Sequence, residues 1–227
     1  MKRALIIAAH PDDEVLGCGG LISKYQPEGV DFKVVFIGEG SSCRYNSPDD
    51  QSAKIAIRHR TDCAVVALAK LGVKKYDFHD LPCGRFDQVP VLSLNKIIEA
   101  ATREFEPDTV FTHSPYDANN DHKIVFNATV MATRPVAGNP AHRLLCFEIP
   151  SSSEWAFATT FSPNYFEEIS EHNLDQKCQA LSLYESEIRA YPFPRSHEGL
   201  RAVAMTRGMQ AGVAFAEAFH LVREFRK

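Results

Sequence analysis

The 227 residues contain no run of Lys or Arg, no Cys-x-x-Cys pair, no low-complexity tract and only one tryptophan. Without a basic patch, and with a net charge of −4, the chain has no general attraction for nucleic acid or an anionic membrane surface. The six cysteines (Cys18, Cys43, Cys63, Cys83, Cys146, Cys178) are scattered, so their spacing implies no disulfide framework. They read as reduced, mostly core residues of a cytoplasmic protein. The apolar run that follows Met1-Lys2-Arg3 ends at His10 after six residues, short of a signal-peptide core or a membrane span. It reads as a buried strand. No linker or internal repeat divides the chain, and 44% hydrophobic residues can fill one core, so a single domain over 1–227 is expected.

What is present is an alternation of strand and helix patterns. Strands are expected at Leu5 to Ala9, Lys33 to Gly38, Lys74 to Phe78, Thr109 to His113, Leu144 to Ile149 and Tyr165 to Ile169. Helical spacing marks Val15 to Lys24, Ser52 to Leu71, Pro90 to Phe105, His122 to Thr133, Leu174 to Tyr184 and His197 to Gln210. A Pro/Gly break is expected over Arg134 to Pro140. The opening β-α-β unit implies a right-handed crossover and a parallel sheet. The expected fold is α/β: a single-domain, Rossmann-like, mostly parallel sheet with helices on both faces.

Two polar segments directly follow strands, where a doubly wound sheet places its ligands. They are His10-Pro11-Asp12-Asp13-Glu14 and His113-Ser114-Pro115-Tyr116-Asp117-Ala118-Asn119-Asn120-Asp121-His122. Imidazole and carboxylate together suit zinc or ferrous iron, and three protein ligands with one open position describe a catalytic site. His10 and Asp13, three apart around a turn, can converge on one ion, with His122 the best candidate for the third ligand. The competing reading makes Asp12, Asp13 and Glu14 helix caps and dipole partners. It accounts for one acidic segment better than for two at neighbouring strand ends. Gly17, Gly19 and Gly20 suit close backbone packing; lacking a following Lys-Ser/Thr, they form no phosphate loop.

Residues 10 to 20, His-Pro-Asp-Asp-Glu-Val-Leu-Gly-Cys-Gly-Gly, resemble the first motif of the PIG-L/LmbE-like de-N-acetylases. Asn120-Asp121-His122 resembles the end of that family's second motif, His-Pro-Asp-His. Leu71-Gly72-Val73 and the tail from Arg207-Gly208 to Ala216-Glu217-Ala218-Phe219 are also similar, so the resemblance runs nearly the whole length. It implies a metal hydrolase that removes an acyl group, usually acetyl, from the 2-amino group of a glucosamine-type sugar, free, nucleotide-linked or glycosidic. It further implies His10, Asp13 and His122 as the zinc ligands and Asp12 as the general base. Physical chemistry agrees, because a carboxylate beside a ligand and facing the open side can take a proton from activated water and return it to the leaving amine. Glu14, at the start of a helix, is assigned a structural role.

The first His of the family's His-Pro-Asp-His falls at Asn119 here. An amide can donate a hydrogen bond to an oxyanion but supplies no proton, so acid work rests on Asp12 or on one of His113, His142 and His197. Asp121 is expected to orient a ring or hold the loop, and Asp117 and Asn120 divide between turn formation and function. Arg60 aligns with an Arg that contacts substrate in the family, although the usual Glu three residues on is Cys63. Glu148, Ser152 and Trp155 are expected to bond sugar hydroxyls and to stack on a sugar face; Arg195 reads as a surface loop residue. The expected partner is a small amino sugar, with no nucleic acid and no membrane, and self-association is left open. Two further readings compete: an amidase acting on a thiol conjugate or aminoglycoside-like scaffold, and a non-catalytic metal- or sugar-binding module.

Overall fold

The computed structural model describes residues 1–136 and 139–225. Its elements are β1 (Arg3–Ala8), α1 (Asp13–Tyr25), β2 (Asp31–Gly38), α2 (Gln51–Lys70), β3 (Lys75–Leu81), α3 (Val91–Phe105) and β4 (Thr109–His113). They continue as α4 (Asn120–Ala132), β5 (Arg143–Phe147), β6 (Tyr165–Glu168), α5 (Glu171–Leu181), α6 (His197–Ala211) and β7 (Ala216–Glu224). One seven-stranded sheet runs in the order β3-β2-β1-β4-β5-β7-β6. The first five strands are parallel, and β7 is antiparallel to both of its neighbours.

The uninterrupted apolar run of β1 follows from its place inside the sheet, covered on both faces. Ala4, Ile6 and Ala8 pack with Val15, Leu21 and Ile22 of α1 and with Ala64 and Leu68 of α2. Leu5, Ile7 and Ala9 pack with Leu94 and Ile98 of α3 and with Val125 and Ala128 of α4. Each fully buried Leu or Ile contributes roughly 1.5–3 kcal/mol, so the strand's period of two divides one continuous run between two cores. The chain is thus α/β with helices on both faces, as the periodicity predicts.

Helix α1 lies close to its neighbours because of its glycines. A Cβ on Gly17 would stand 2.5 Å from the Phe147 ring, one on Gly19 2.8 Å from Lys177, and one on Gly20 2.9 Å from Ile169. Through that gap the Glu217 carboxylate accepts from the N–H groups of Gly20 (2.9 Å) and Leu21 (2.7 Å), and Lys177 Nζ donates to the Leu16 carbonyl at 2.7 Å. Lys177 and Glu217 are themselves paired at 2.6 Å.

Several boundaries differ from expectation. The Ser170 capping box with Asn173 starts α5 at Glu171 rather than Leu174, and β3 extends to Leu81 rather than ending at Phe78. The terminal strand β7 was not expected: its Ala-Glu-Ala start favours helix by propensity, and pairing with β5 and β6 overrides that preference. Within the expected Pro/Gly break, Ala137 and Gly138 lie outside the described residues. No helix among the described residues is long and apolar enough to cross a membrane.

From β1 the chain crosses through α1 to β2 on one side; from β3 it returns through α3 to β4 on the other. The carboxyl ends of β1 and β4 therefore border the topological switch point, where a crevice forms in such sheets.

Candidate metal centre and active site

Both polar segments meet at this crevice. The turn after β1 closes with an Asp13 N–H bond to the His10 carbonyl at 3.2 Å and a His10 N–H bond to Asp13 Oδ2 at 2.8 Å. Asp13 Oδ2 then lies 3.7 Å from His10 Nδ1, 3.5 Å from His122 Nε2 and 3.4 Å from His113 Nε2. His10, Asp13 and His122 are all buried, with one ligand atom of each within 4.8 Å of the others. Ligands held 2.0–2.1 Å from a tetrahedral ion stand about 3.4 Å apart, so two imidazoles and a carboxylate at this spacing fit zinc or ferrous iron.

The outward nitrogens of the two rings face carboxylates. His10 Nε2 is 3.0 Å from Asp121 Oδ2, and His122 Nδ1 is 3.2 Å from Asp117 Oδ2. Such carboxylate partners fix the ring orientation and the tautomer of a ligating histidine. Asp121 also accepts from the N–H groups of Gly84 (2.6 Å) and Phe86 (3.2 Å). These bonds, with the one from His10, hold its carboxyl below the ordinary value despite burial. Asp117 is bonded by the hydroxyls of Ser152 and Ser153 and by the Asn119 N–H.

Asp12 occupies the N-cap position of α1, but its side chain makes no capping bond, and its φ of 120° is a strained value for a residue with a Cβ. Glu14 props this backbone, accepting the Asp12 N–H at 3.0 Å on one oxygen and the Tyr184 hydroxyl on the other. Burial pushes the Glu14 carboxyl up to about 8. The Asp12 carboxylate sits between two guanidinium groups, 2.9 Å from Arg60 Nη2 and 2.6 Å from Arg195 Nη1. Burial raises its pKa, and the two arginines pull the other way.

Of the residues expected to meet substrate, Arg60 is only 4% exposed and bonds the Pro11 and Gly40 carbonyls and Glu187 besides Asp12. Glu148 is clasped by both arms of Arg207, and Ser152 is turned inward to Asp117. The polar atoms of these three are occupied within the protein, a placement different from the one expected. Trp155, 49% exposed and 6.1 Å from the Phe193 ring, presents a free face. Asn119 caps α4, its Oδ1 accepting the Asp121 N–H at 2.9 Å.

Among the other histidines weighed as acids, His113 is fully buried, accepts the Ala9 N–H on Nε2, and is pushed by burial well below its ordinary pKa. His142 precedes β5 at the opposite end of the sheet, and His197 pairs with Ser182 in solvent. Arg195, expected as a surface loop residue, instead turns a largely buried side chain onto Asp12, and Glu187 was missed. Arg195 follows a proline-rich stretch and lies 183 positions from Asp12, and no local pattern joins either residue to the first motif.

The PIG-L family profile, described as GlcNAc-PI de-N-acetylase, matches residues 5–133, more than half of the chain. Diacetylchitobiose deacetylase of Thermococcus kodakarensis (strain KOD1) is 27% identical over 229 residues, covering 98% of this chain and 84% of that protein. The structure is similar to that of N,N'-diacetylchitobiose deacetylase from Pyrococcus horikoshii (TM-score 0.76, 22% identity, 98% of this chain and 84% of the other). It is equally similar to GalB, the 4-carboxy-2-hydroxymuconate hydratase from Pseudomonas putida KT2440 (TM-score 0.77, 24% identity, 100% and 98%). One fold thus frames two different reactions, and chemistry must be argued from the site. On the profile match and the two motifs in the crevice, the chain belongs to the PIG-L de-N-acetylase family.

Proposed function

We propose that the protein hydrolyses the N-acetyl group of a small amino sugar, with zinc as the preferred metal and ferrous iron as the alternative. The observation that carries this reading is the convergence of His10 Nδ1, Asp13 Oδ2 and His122 Nε2 at the switch point, with Asp12 one residue away. His10, Asp13 and His122 would hold a divalent ion, which would supply Lewis acidity to the amide carbonyl and lower the pKa of water towards neutrality.

Asp12 accepts the proton of the attacking water and delivers it to the departing amine. Arg60 and Arg195, one on each oxygen, aim that carboxylate and oppose the burial that raises its pKa; Arg60 is in this reading a positioning residue and not a substrate contact. With Oδ1 of Asn119 occupied as a cap, its NH2 is the half that can donate to the oxyanion. It cannot act as an acid, and His113 is held neutral, so acid work also falls to Asp12. Asp121 and Asp117 orient His10 and His122. Trp155 and Tyr116 expose ring surface on which a sugar can stack.

The test is to load purified protein with zinc and incubate it with N-acetylglucosamine, N,N'-diacetylchitobiose, N-acetylated thiol conjugates and an unsaturated hydroxy-tricarboxylate. Acetate and free amine in equal amounts from an amino sugar, lost in Asp12→Asn with zinc retained, is the expected result. Hydration of the tricarboxylate with no acetate from any amide would move the protein to the hydratase reading. Metal binding with no turnover would favour the non-catalytic module.

A further inference from the structure

We infer that Cys43 and Cys83 form a reversible disulfide site, oxidised by low-molecular-weight disulfides, whose closure loosens the neighbouring His10 centre. Its second half rests on the metal reading above; its first half does not.

Strands β2 and β3 are parallel neighbours with Gly38 beside Leu81, so the turns that follow them leave the sheet side by side. Cys43 lies in the 3₁₀ turn Ser42–Arg44 after β2, and Cys83 lies just beyond β3. The buried Glu39 carboxylate ties the two turns together, accepting from the N–H groups of Ser41 (2.6 Å), Ser42 (2.9 Å) and Cys83 (2.7 Å). The sulfurs are thereby held 3.1 Å apart as free thiols. A disulfide bond is about 2.05 Å long, so closure needs an approach of about 1 Å.

The two thiols differ in access. Cys43 is exposed to reagents, whereas Cys83 is 7% exposed and faces Cys43. This suits an attacking thiol followed by a resolving one. The Cys43 thiolate attacks one sulfur of a disulfide RSSR, forming a Cys43–S–SR bond and releasing the first RS⁻, which takes up a proton. The Cys83 sulfur, losing its proton, then attacks the Cys43 sulfur, forming the protein disulfide and releasing the second RSH. Two protein thiols lose two electrons and two protons, and RSSR gains both.

Cys83 begins the turn that positions Asp121. The next residue, Gly84, donates its N–H to Asp121 Oδ2, the same oxygen that meets His10 Nε2, and Phe86 donates to Oδ1. One ligand atom from each of His10, Cys83 and Asp121 falls within 4.8 Å of the others, and the Phe86 ring centre lies 5.6 Å from that of His10. Drawing Cys83 towards Cys43 therefore displaces the support of a ligating ring.

The test equilibrates the full chain with mixtures of glutathione and glutathione disulfide, traps thiols by alkylation and maps the peptides. A linked Cys43–Cys83 peptide that dithiothreitol removes is expected, with the other four cysteines alkylated throughout. Zinc competition against a chromophoric chelator should show binding about 10-fold weaker in the oxidised form, and Cys43→Ser should keep the reduced-state affinity in both buffers. No linked peptide at any ratio, or a stable glutathione adduct on Cys43, overturns the site. A linked peptide with unchanged zinc affinity overturns the coupling to His10. If the reduced protein binds no zinc, the metal reading fails while the peptide map still decides the disulfide.

Discussion

Arg195 Nη1 stands 2.6 Å from Asp12 Oδ2, although 183 positions separate the two residues along the chain. Arg60 Nη2 stands 2.9 Å from the other oxygen, so the carboxylate of the proposed base is gripped from two sides, on a backbone whose φ of 120° is strained.

Arg195→Ala should lower kcat about 10- to 100-fold while leaving zinc content unchanged. Removing a cation raises the pKa of the carboxyl, so the base form is reached at higher pH and the acid limb of the pH-rate profile moves upward. An unmoved acid limb would take Arg195 out of the proton path.

Asp117→Asn and Asp121→Asn should each weaken zinc binding about 10- to 100-fold, measured by chelator competition. The larger loss is expected at Asp121, which also collects the Gly84 and Phe86 N–H groups. Equal affinity in all three proteins would mean that neither carboxylate sets its histidine ring.

Asn119 carries two roles that can be separated. Asn119→Ala should destabilise the fold by about 1 kcal/mol through loss of the α4 cap and reduce kcat about 10²- to 10³-fold. Asn119→Asp keeps a cap oxygen but has no NH2, so it should recover stability without recovering kcat.

Glu187 makes a prediction about acid stability. Despite burial, its bonds and charge contacts with Arg44 and Arg60 hold its carboxyl down to about 2, from an ordinary 4.5. The folded pKa is depressed, so the contribution is fully present above 4.5 and is lost as pH falls towards 2. Wild type should exceed Glu187→Gln by on the order of 2 kcal/mol at pH 6 in urea unfolding, with the gap closing near pH 2. A constant gap would show that charge plays no part.

Gly17→Ala should cost about 1–3 kcal/mol, since its Cβ would lie 2.5 Å from the Phe147 ring. Gly29→Ala is the control. With open space around it but a φ of +89°, it should cost about 1 kcal/mol from backbone strain alone.

What could be read from sequence and what could not divide along a physical line. The β1 run, the turn from His10 to Glu14 and the glycines of α1 express constraints set within a few residues of one another, and a linear pattern displays them. Asp117 looked like a turn former because Asp in such loops usually is one; contact with His122 Nδ1 depends on the tertiary path. Arg60, Glu148 and Ser152 carry polar side chains suited to a sugar, and only coordinates reveal that protein groups already occupy them. Arg195 and Glu187 hold Asp12 and Arg60 from more than a hundred residues away, and composition carries no trace of such a pairing.

The Lys177–Glu217 pair wedged against α1 has a consequence for biosynthesis. By residue 122 a growing chain has presented His10, Asp13, His122 and Arg60, yet Lys177 and Glu217, which seat α1, Arg195, which takes the second oxygen of Asp12, and Glu187, which holds Arg60, all arrive later. A nascent chain halted between these points holds every proposed ligand without the scaffold that aligns them. The proposed centre should therefore mature late, when β7 docks, and ribosome-stalled intermediates should capture zinc less tightly than the released protein.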